Sequence, residues 1–329
     1  MNKIKSFFNR GYVKFSVIFS LISLLPFTAS AHIKWFAQNT QHVRPYSITD
    51  IPVIVGIITV IVILLIGIYL EKKLKVPDSL HNFIERLAPK ALSIASIGFG
   101  LAFIIFTIQG FIFAPNLPAQ GTIGMVMLLI QGIAGIMMLF GLYERVGGLL
   151  LIVLFFFGIY EHGLLEMLDT LEMLGFAFYI MIVGRPKWRL KEGIVIERIT
   201  HKIHVYGYPI LRIGVGLNLM VLGFTEKILT PSLTNNFLSH YNWNFMKFFG
   251  MSDYWFSFAG GLAEILFGLF FLLGLITRIT TVALAIFLVI TLYLLGPVEL
   301  VGHLPHFSIA IVLLILGSGA RFVLLKNKE

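Results

Sequence analysis

Predominantly apolar stretches separated by short polar segments run along almost the whole chain. Nine of them follow the N-terminal region, at residues 51–70, 92–113, 121–142, 147–160, 172–184, 208–227, 256–276, 280–296 and 307–323. A helix of about 20 apolar residues crosses a hydrocarbon core of about 30 Å. The pattern therefore predicts an all-α fold, a polytopic transmembrane helical bundle embedded in a lipid bilayer.

The N-terminal region has the order of segments that is typical of a secretory signal. Basic residues come first, an apolar stretch occupies residues 15–25, and the small residues Ala29-Ser30-Ala31 follow. Cleavage after Ala31 would make His32 the first residue of the mature chain. The alternative is that residues 1–31 stay attached as an anchor helix.

Two parts of the chain repeat the same residue pattern. Gly98-Phe-Gly-Leu101 and Pro115 match Gly214-Val-Gly-Leu217 and Pro231 at an offset of 116, whereas Gly141, Arg145, Glu166 and Gly184 match Gly274, Arg278, Glu299 and Gly317 at an offset of 133. The difference is an insertion of 17 residues within 235–253, whose aromatic residues suit an interfacial anchor or, alternatively, a lid over a ligand. Each copy holds four spans, an even number, so we expect two parallel four-helix repeats.

These features predict the following organisation. Residues 1–31 are a signal peptide or anchor, 32–50 an extracytoplasmic N-terminal segment, 51–91 one extra N-terminal span with a cytoplasmic linker, 92–190 the first repeat, 191–207 a basic cytoplasmic linker and 208–329 the second repeat.

Composition and charge agree with a membrane protein. Hydrophobic residues make up 58% of the chain and charged residues 12%, and there is no cysteine, which excludes disulfides, iron–sulfur clusters and thiolate metal sites. The net charge of +9 follows from topology, because sixteen Lys or Arg fall on the predicted inside and four on the outside. We therefore expect a bacterial inner-membrane protein that binds no nucleic acid, with its mature N-terminus outside and its C-terminus in the cytoplasm.

The second repeat resembles the DoxX/DoxD-like family of membrane proteins. The resemblance rests on Leu211 to Leu217, Gly223-Phe-Thr-Glu-Lys227, Gly260-Gly-Leu-Ala-Glu264 and Gly274-Leu-Ile-Thr-Arg278. The first repeat is similar but diverged, with Gln131 in the place of Glu264. Some members of this family are subunits of a quinone-linked oxidoreductase, so the resemblance implies a membrane redox component that works with other membrane or extracytoplasmic redox subunits.

A carboxyl group inside a span is expensive in hydrocarbon, so Glu264 must be protonated, paired or hydrated. We therefore take Glu264, Lys227, Glu226 and Gln131 as candidates for proton handling or catalysis, and Glu264, Gln131, Gln109 and His306 as candidates for hydrogen bonds to a quinone head. The alternatives without a functional role are an interhelical hydrogen bond for Glu264 and an interfacial position for Lys227.

Imidazole and carboxylate groups also gather on the predicted outer side. His32, His42, Glu166, Glu299, His303 and His306 are candidate ligands for copper or another divalent metal. Two alternatives to the redox function therefore stay open at this point: an extracytoplasmic metal-binding or transport protein, and an assembly or scaffold subunit without a ligand.

The parallel repeat predicts that Glu166 and Glu299 lie on the same, extracytoplasmic face. Because the chain has no cysteine, Glu166→Cys and Glu299→Cys can be labelled one at a time with a membrane-impermeant maleimide. We expect both to react in intact spheroplasts, and the control Lys191→Cys to react only after lysis. Labelling of one glutamate position without the other would contradict the parallel arrangement.

Overall fold

The computed structural model describes residues 43–74, 76–184, 194–296 and 299–325. The signal-type segment, His32 and His42 lie outside these residues, and so does the side chain of Glu299. The described helices are α1 Ile51–Lys73, α2 Asp78–Gln109, α3 Gly121–Phe140, α4 Glu144–His162, α5 Leu164–Leu168, α6 Leu171–Val183, α7 Ile194–Leu222, α8 Pro231–Tyr241, α9 Asp253–Leu273, α10 Thr277–Leu295 and α11 Glu299–Leu316.

The predicted apolar stretches all correspond to helices, which confirms the all-α polytopic bundle. Seven helices, α1 to α4, α7 with the turn that follows it, α9 and α10, are long and apolar enough to cross a membrane. Two shorter apolar helices, Leu171–Val183 and Leu300–Leu316, account for the other two stretches. The chain is thus a multi-pass membrane protein by the length and composition of its helices, whereas its orientation and its membrane stay predictions.

Helix α2, which holds most of the stretch predicted at 92–113, begins earlier, at Asp78, so part of the predicted linker is helical as well. One predicted boundary is wrong. The last span was expected at 307–323 with Pro305 at its start, but α11 runs from Glu299 to Leu316 with Pro305 inside it. Val301 and Leu304 pack against the core before Pro305, and this packing outweighs the backbone hydrogen bond that proline cannot donate.

Eight of the ten described helices that follow α1, all except α5 and α8, form a closed ring. Each packs on the next in the order α2, α3, α4, α6, α7, α9, α10 and α11, and α11 packs back on α2. The order of contacts is therefore the same in the two halves, and the last helix of each half packs on the first helix of the other. Helix α1 lies outside the ring against α9, where Tyr46 from the preceding segment donates a hydrogen bond to the carbonyl of Tyr254 at 2.7 Å.

Matched glycines set the close crossings between the first two helices of each half. A Cβ at Gly100 would lie 2.7 Å from the carbonyl oxygen of Gly135, and a Cβ at Gly216 would lie 2.7 Å from that of Gly268. In lipid, helices associate through van der Waals packing because apolar burial gives little driving force there, so small residues at the crossing are required.

Matched arginines close the last helix of each half. Arg145 donates to the carbonyl of Val183 at 3.0 Å, and Arg278 donates to those of Leu314 and Ile315 at 2.9 and 3.1 Å. Each guanidinium therefore satisfies carbonyls that a helix end leaves without an intrahelical partner. Residues that the repeat pattern aligned thus occupy equivalent positions, although the proposed boundaries of the domains stay a prediction.

Replacing Gly216 by Ala should destabilise the bundle. Alanine by itself favours a helix over glycine by about 1 kcal/mol, so a loss of stability would report the clash with the carbonyl of Gly268. We expect a net loss on the order of 1–3 kcal/mol, measured by thermal unfolding in detergent. The matched control is Gly147→Ala, whose new Cβ would meet its nearest neighbour at 3.4 Å and which should not lose stability. Equal stability of the two variants would contradict the close crossing.

Candidate functional site

A buried ion pair joins the first two helices of the second half. Lys227 Nζ lies 2.8 Å from Glu264 Oε2, and the two side chains are 12% and 20% exposed. Two of the candidate residues are therefore in direct contact. Because both groups are charged and lie within apolar spans, each supplies the partner that the other needs in a medium of low dielectric constant.

The backbone around Lys227 is irregular. Helix α7 continues after Leu222 as a π-helical turn over Gly223–Leu229, which contains both Glu226 and Lys227. A second pair of glycines lies beside it, since a Cβ at Gly261 would sit 2.9 Å from the carbonyl oxygen of Gly223. The hydroxyl of Thr234, in α8, donates to the carbonyl of Glu226 at 3.1 Å. π-Helical turns occur frequently at functional sites, so this segment is a candidate for one.

The first half contributes carboxylates to the same region. Lys227 interacts electrostatically with Glu226 and with Asp169 as well as with Glu264. Asp169 precedes α6, and it is 3% exposed, whereas Glu226 is 2% exposed. The Lys227 ammonium thus pairs directly with one carboxylate and interacts electrostatically with two more, one of them from the first half.

A second pair, unlike the first, crosses between the halves. His306 Nε2 of α11 lies 2.7 Å from Glu172 Oε1 of α6, and their side chains are 15% and 4% exposed. The ring of His303 lies next to that of His306, with 5.6 Å between centroids. Helical periodicity alone does not reveal that Glu172 has its partner 134 positions further along the chain.

The first half makes a neutral version of the ion pair. Gln131, which aligns with Glu264, is fully buried. Its amide nitrogen donates to the carbonyl of Phe111 at 2.9 Å and its oxygen accepts from the N–H of Phe113 at 2.8 Å. Both partners are backbone groups, which favours a structural role for Gln131. Gln109 lies half-buried at the end of α2, also in the first half.

The predicted metal ligands are only partly brought together. Glu166 approaches Asn116, with 3.5 Å between the carboxylate and the amide nitrogen, whereas His303 and His306 lie on α11 beside Glu172. Within the described residues, no group of three His, Asp or Glu side chains has the arrangement of a metal site. His32 and His42 fall outside those residues, so the copper site stays a prediction.

Helix α8 and the insertion pack on the N-terminal part of α9 and the C-terminal part of α10. Leu233, Phe237 and Leu238 are buried in a small apolar cluster with Trp243, Phe256 and Leu295. The ring of Trp243 also lies 5.5 Å from that of Phe287 on α10, measured between centroids. The predicted aromatic segment thus packs on the bundle, although part of it, including Phe248 and Phe249, is exposed.

Comparison with known proteins gives one finding. No curated protein and no solved structure matches the chain. Residues 207–297 match the family model DoxX, and this range contains Glu226, Lys227 and Glu264 but neither Glu172 nor His306. The resemblance inferred for the second half is confirmed: the second half of this multi-pass membrane protein carries a DoxX domain.

Proposed function

We propose that this protein is the membrane component of a redox system and that its Lys227–Glu264 pair binds the head of a quinone and exchanges protons with it. The observation that carries the proposal is the ion pair itself, buried between two apolar helices yet still partly accessible. An ammonium can donate hydrogen bonds to a quinone carbonyl, and carboxyl groups can donate and accept protons.

The comparison between the halves supports a role beyond packing. In the first half a neutral glutamine at the matching position bonds to Thr107 of α2 at 3.3 Å and to backbone groups of the segment that follows α2. Burying two charges costs several kcal/mol for each ion, and a buried ion pair is often no more stabilising than a neutral or apolar replacement. The charges of Lys227 and Glu264 are therefore not needed to hold the helices together, which favours a chemical use.

The neighbouring groups provide a route for protons. Reduction of a quinone to a quinol takes up two electrons and two protons. In our proposal the electrons come from a partner redox subunit, and the protons arrive through the carboxyl groups around Lys227. Asp169 links Lys227 electrostatically to the first half, and Glu172, three residues further along the chain, pairs with His306 of α11.

Quinone binding tests the proposal directly. Purified protein is titrated with decylubiquinone, and we expect Lys227→Met and Glu264→Gln each to weaken binding about tenfold or more, because a hydrogen bond to a charged group contributes about 1.5–3 kcal/mol. The matched control is Lys247→Met, which removes the exposed pair with Asp253 (3.2 Å; Lys247 side chain 52% exposed). Undiminished binding by both site variants would contradict the proposal.

Stability measurements separate a binding role from a packing role. Lys227→Met leaves Glu264 without its ammonium partner and should cost about 3–5 kcal/mol in thermal unfolding, whereas Lys247→Met should cost less than about 1 kcal/mol. The double variant Lys227→Met/Glu264→Leu removes both charges and should recover most of the loss. A double variant that is stable and still binds decylubiquinone normally would show that the pair serves packing alone.

A further inference from the structure

We propose that the ligand reaches Lys227 and Glu264 laterally from the lipid, through an opening between α9 and α10 that the insertion covers. This inference rests on the proposed function. The ligand class is an amphiphile with a planar carbonyl-bearing head and an apolar tail. The tail would lie along the groove between the two helices. The insertion within 235–253, together with helix α8 that leads into it, would act as a movable cover over that groove.

The first half shows the groove without a cover. A cleft of about 260 Å³ opens between α3 and α4, and its lining, which includes Met127, Leu154 and Phe157, is apolar. At the offset of 133 these residues align with Gly260, Phe287 and Ile290 of α9 and α10. The fold thus leaves a groove between the second and third helices of a repeat, and the second half has the equivalent helices in place.

The insertion occupies the outer part of that groove in the second half. Trp243 contacts Phe287, the residue that aligns with Leu154 of the open cleft. The same apolar cluster includes Phe256 of α9 and Leu295 of α10, so the insertion bridges the two helices. Helices α9 and α10 are also packed less closely on each other than α3 and α4 are. The insertion is therefore a wedge between helices that would otherwise leave an opening.

There is free space beside the ion pair, next to Gly260. A Cβ built on Gly260 would meet only the Cδ atom of Lys227 within 4 Å, at 3.8 Å. Ala259 and Ala263, which flank Gly260 and Glu264 on α9, are exposed on the surface of the bundle. In the first half the larger Met127 and Ile130 occupy the positions of Gly260 and Ala263. The second half thus combines a charged pair, free space next to it and a lipid-facing edge of small residues.

A reversible cross-link tests whether the cover must move. Trp243→Cys/Phe287→Cys in the cysteine-free chain lets a short, reducible bis-methanethiosulfonate reagent join the insertion to α10, and Tyr46→Cys/Tyr254→Cys lets it join two segments away from the groove, where the ring centroids lie 4.5 Å apart. The measurement is the exchange rate of radiolabelled decylubiquinone in the cross-linked and the reduced protein. We expect the cross-link to slow exchange about tenfold or more in the first pair, as for closure of a lid, and to leave it unchanged in the control pair.

A second variant keeps the test independent of disulfide formation. Trp243→Ala removes the ring that fills the groove and should accelerate exchange of decylubiquinone, whereas Phe248→Ala, at a side chain that is 90% exposed, should not. Duroquinone, which has a similar head and no tail, should respond less to either change. Exchange that is the same in cross-linked and reduced protein, or unaffected by Trp243→Ala, would overturn the lateral route.

The outcomes distinguish this inference from the function on which it rests. If the wild-type protein binds no decylubiquinone, the proposed quinone function fails. If the wild-type protein binds it and Lys227→Met loses it, but neither the cross-link nor Trp243→Ala changes exchange, the function stands and the lateral route is wrong.

Discussion

The close crossing of α7 and α9 is the constraint on which the rest of this site depends. Two glycine pairs, Gly216 with Gly268 and Gly223 with Gly261, bring the two backbones into contact. Helices in lipid gain little from hiding apolar surface, so this contact must come from shape. With larger residues the helices would separate, and Lys227 and Glu264 could no longer lie at hydrogen-bonding distance from each other.

The ring arrangement explains how a domain of about ninety matched residues can use groups from elsewhere in the chain. The DoxX match covers residues 207–297, but the ring closes by packing α6 on α7 and α11 on α2. Asp169 and Glu172 come from the first half, and His306 lies beyond the matched range. The polar region is thus shared between the halves.

The two halves differ in the polar contact between their first two helices. The first half keeps the glycine crossing and the arginine that closes its last helix, but it replaces the charged partner by Gln131, whose amide bonds to backbone groups. The neutral amide finds hydrogen-bond partners for both its oxygen and its nitrogen in the segment between α2 and α3, so it needs no group of opposite charge. The same scaffold can therefore carry a structural contact in one half and a charged, partly accessible pair in the other.

The sequence determined the class of this protein and its repeat, because apolar stretches of helical length admit only helices in lipid and because glycines and arginines recur at two fixed offsets. It also singled out Lys227 and Glu264, since charges inside apolar spans need partners. Tertiary structure alone decided the rest. Helix α11 extends through Pro305 because packing against α2 outweighs a local preference, and Glu172 meets His306 because the ring closes. Contacts between residues more than a hundred positions apart depend on how helices are arranged around one another, which the periodicity of a single helix does not encode.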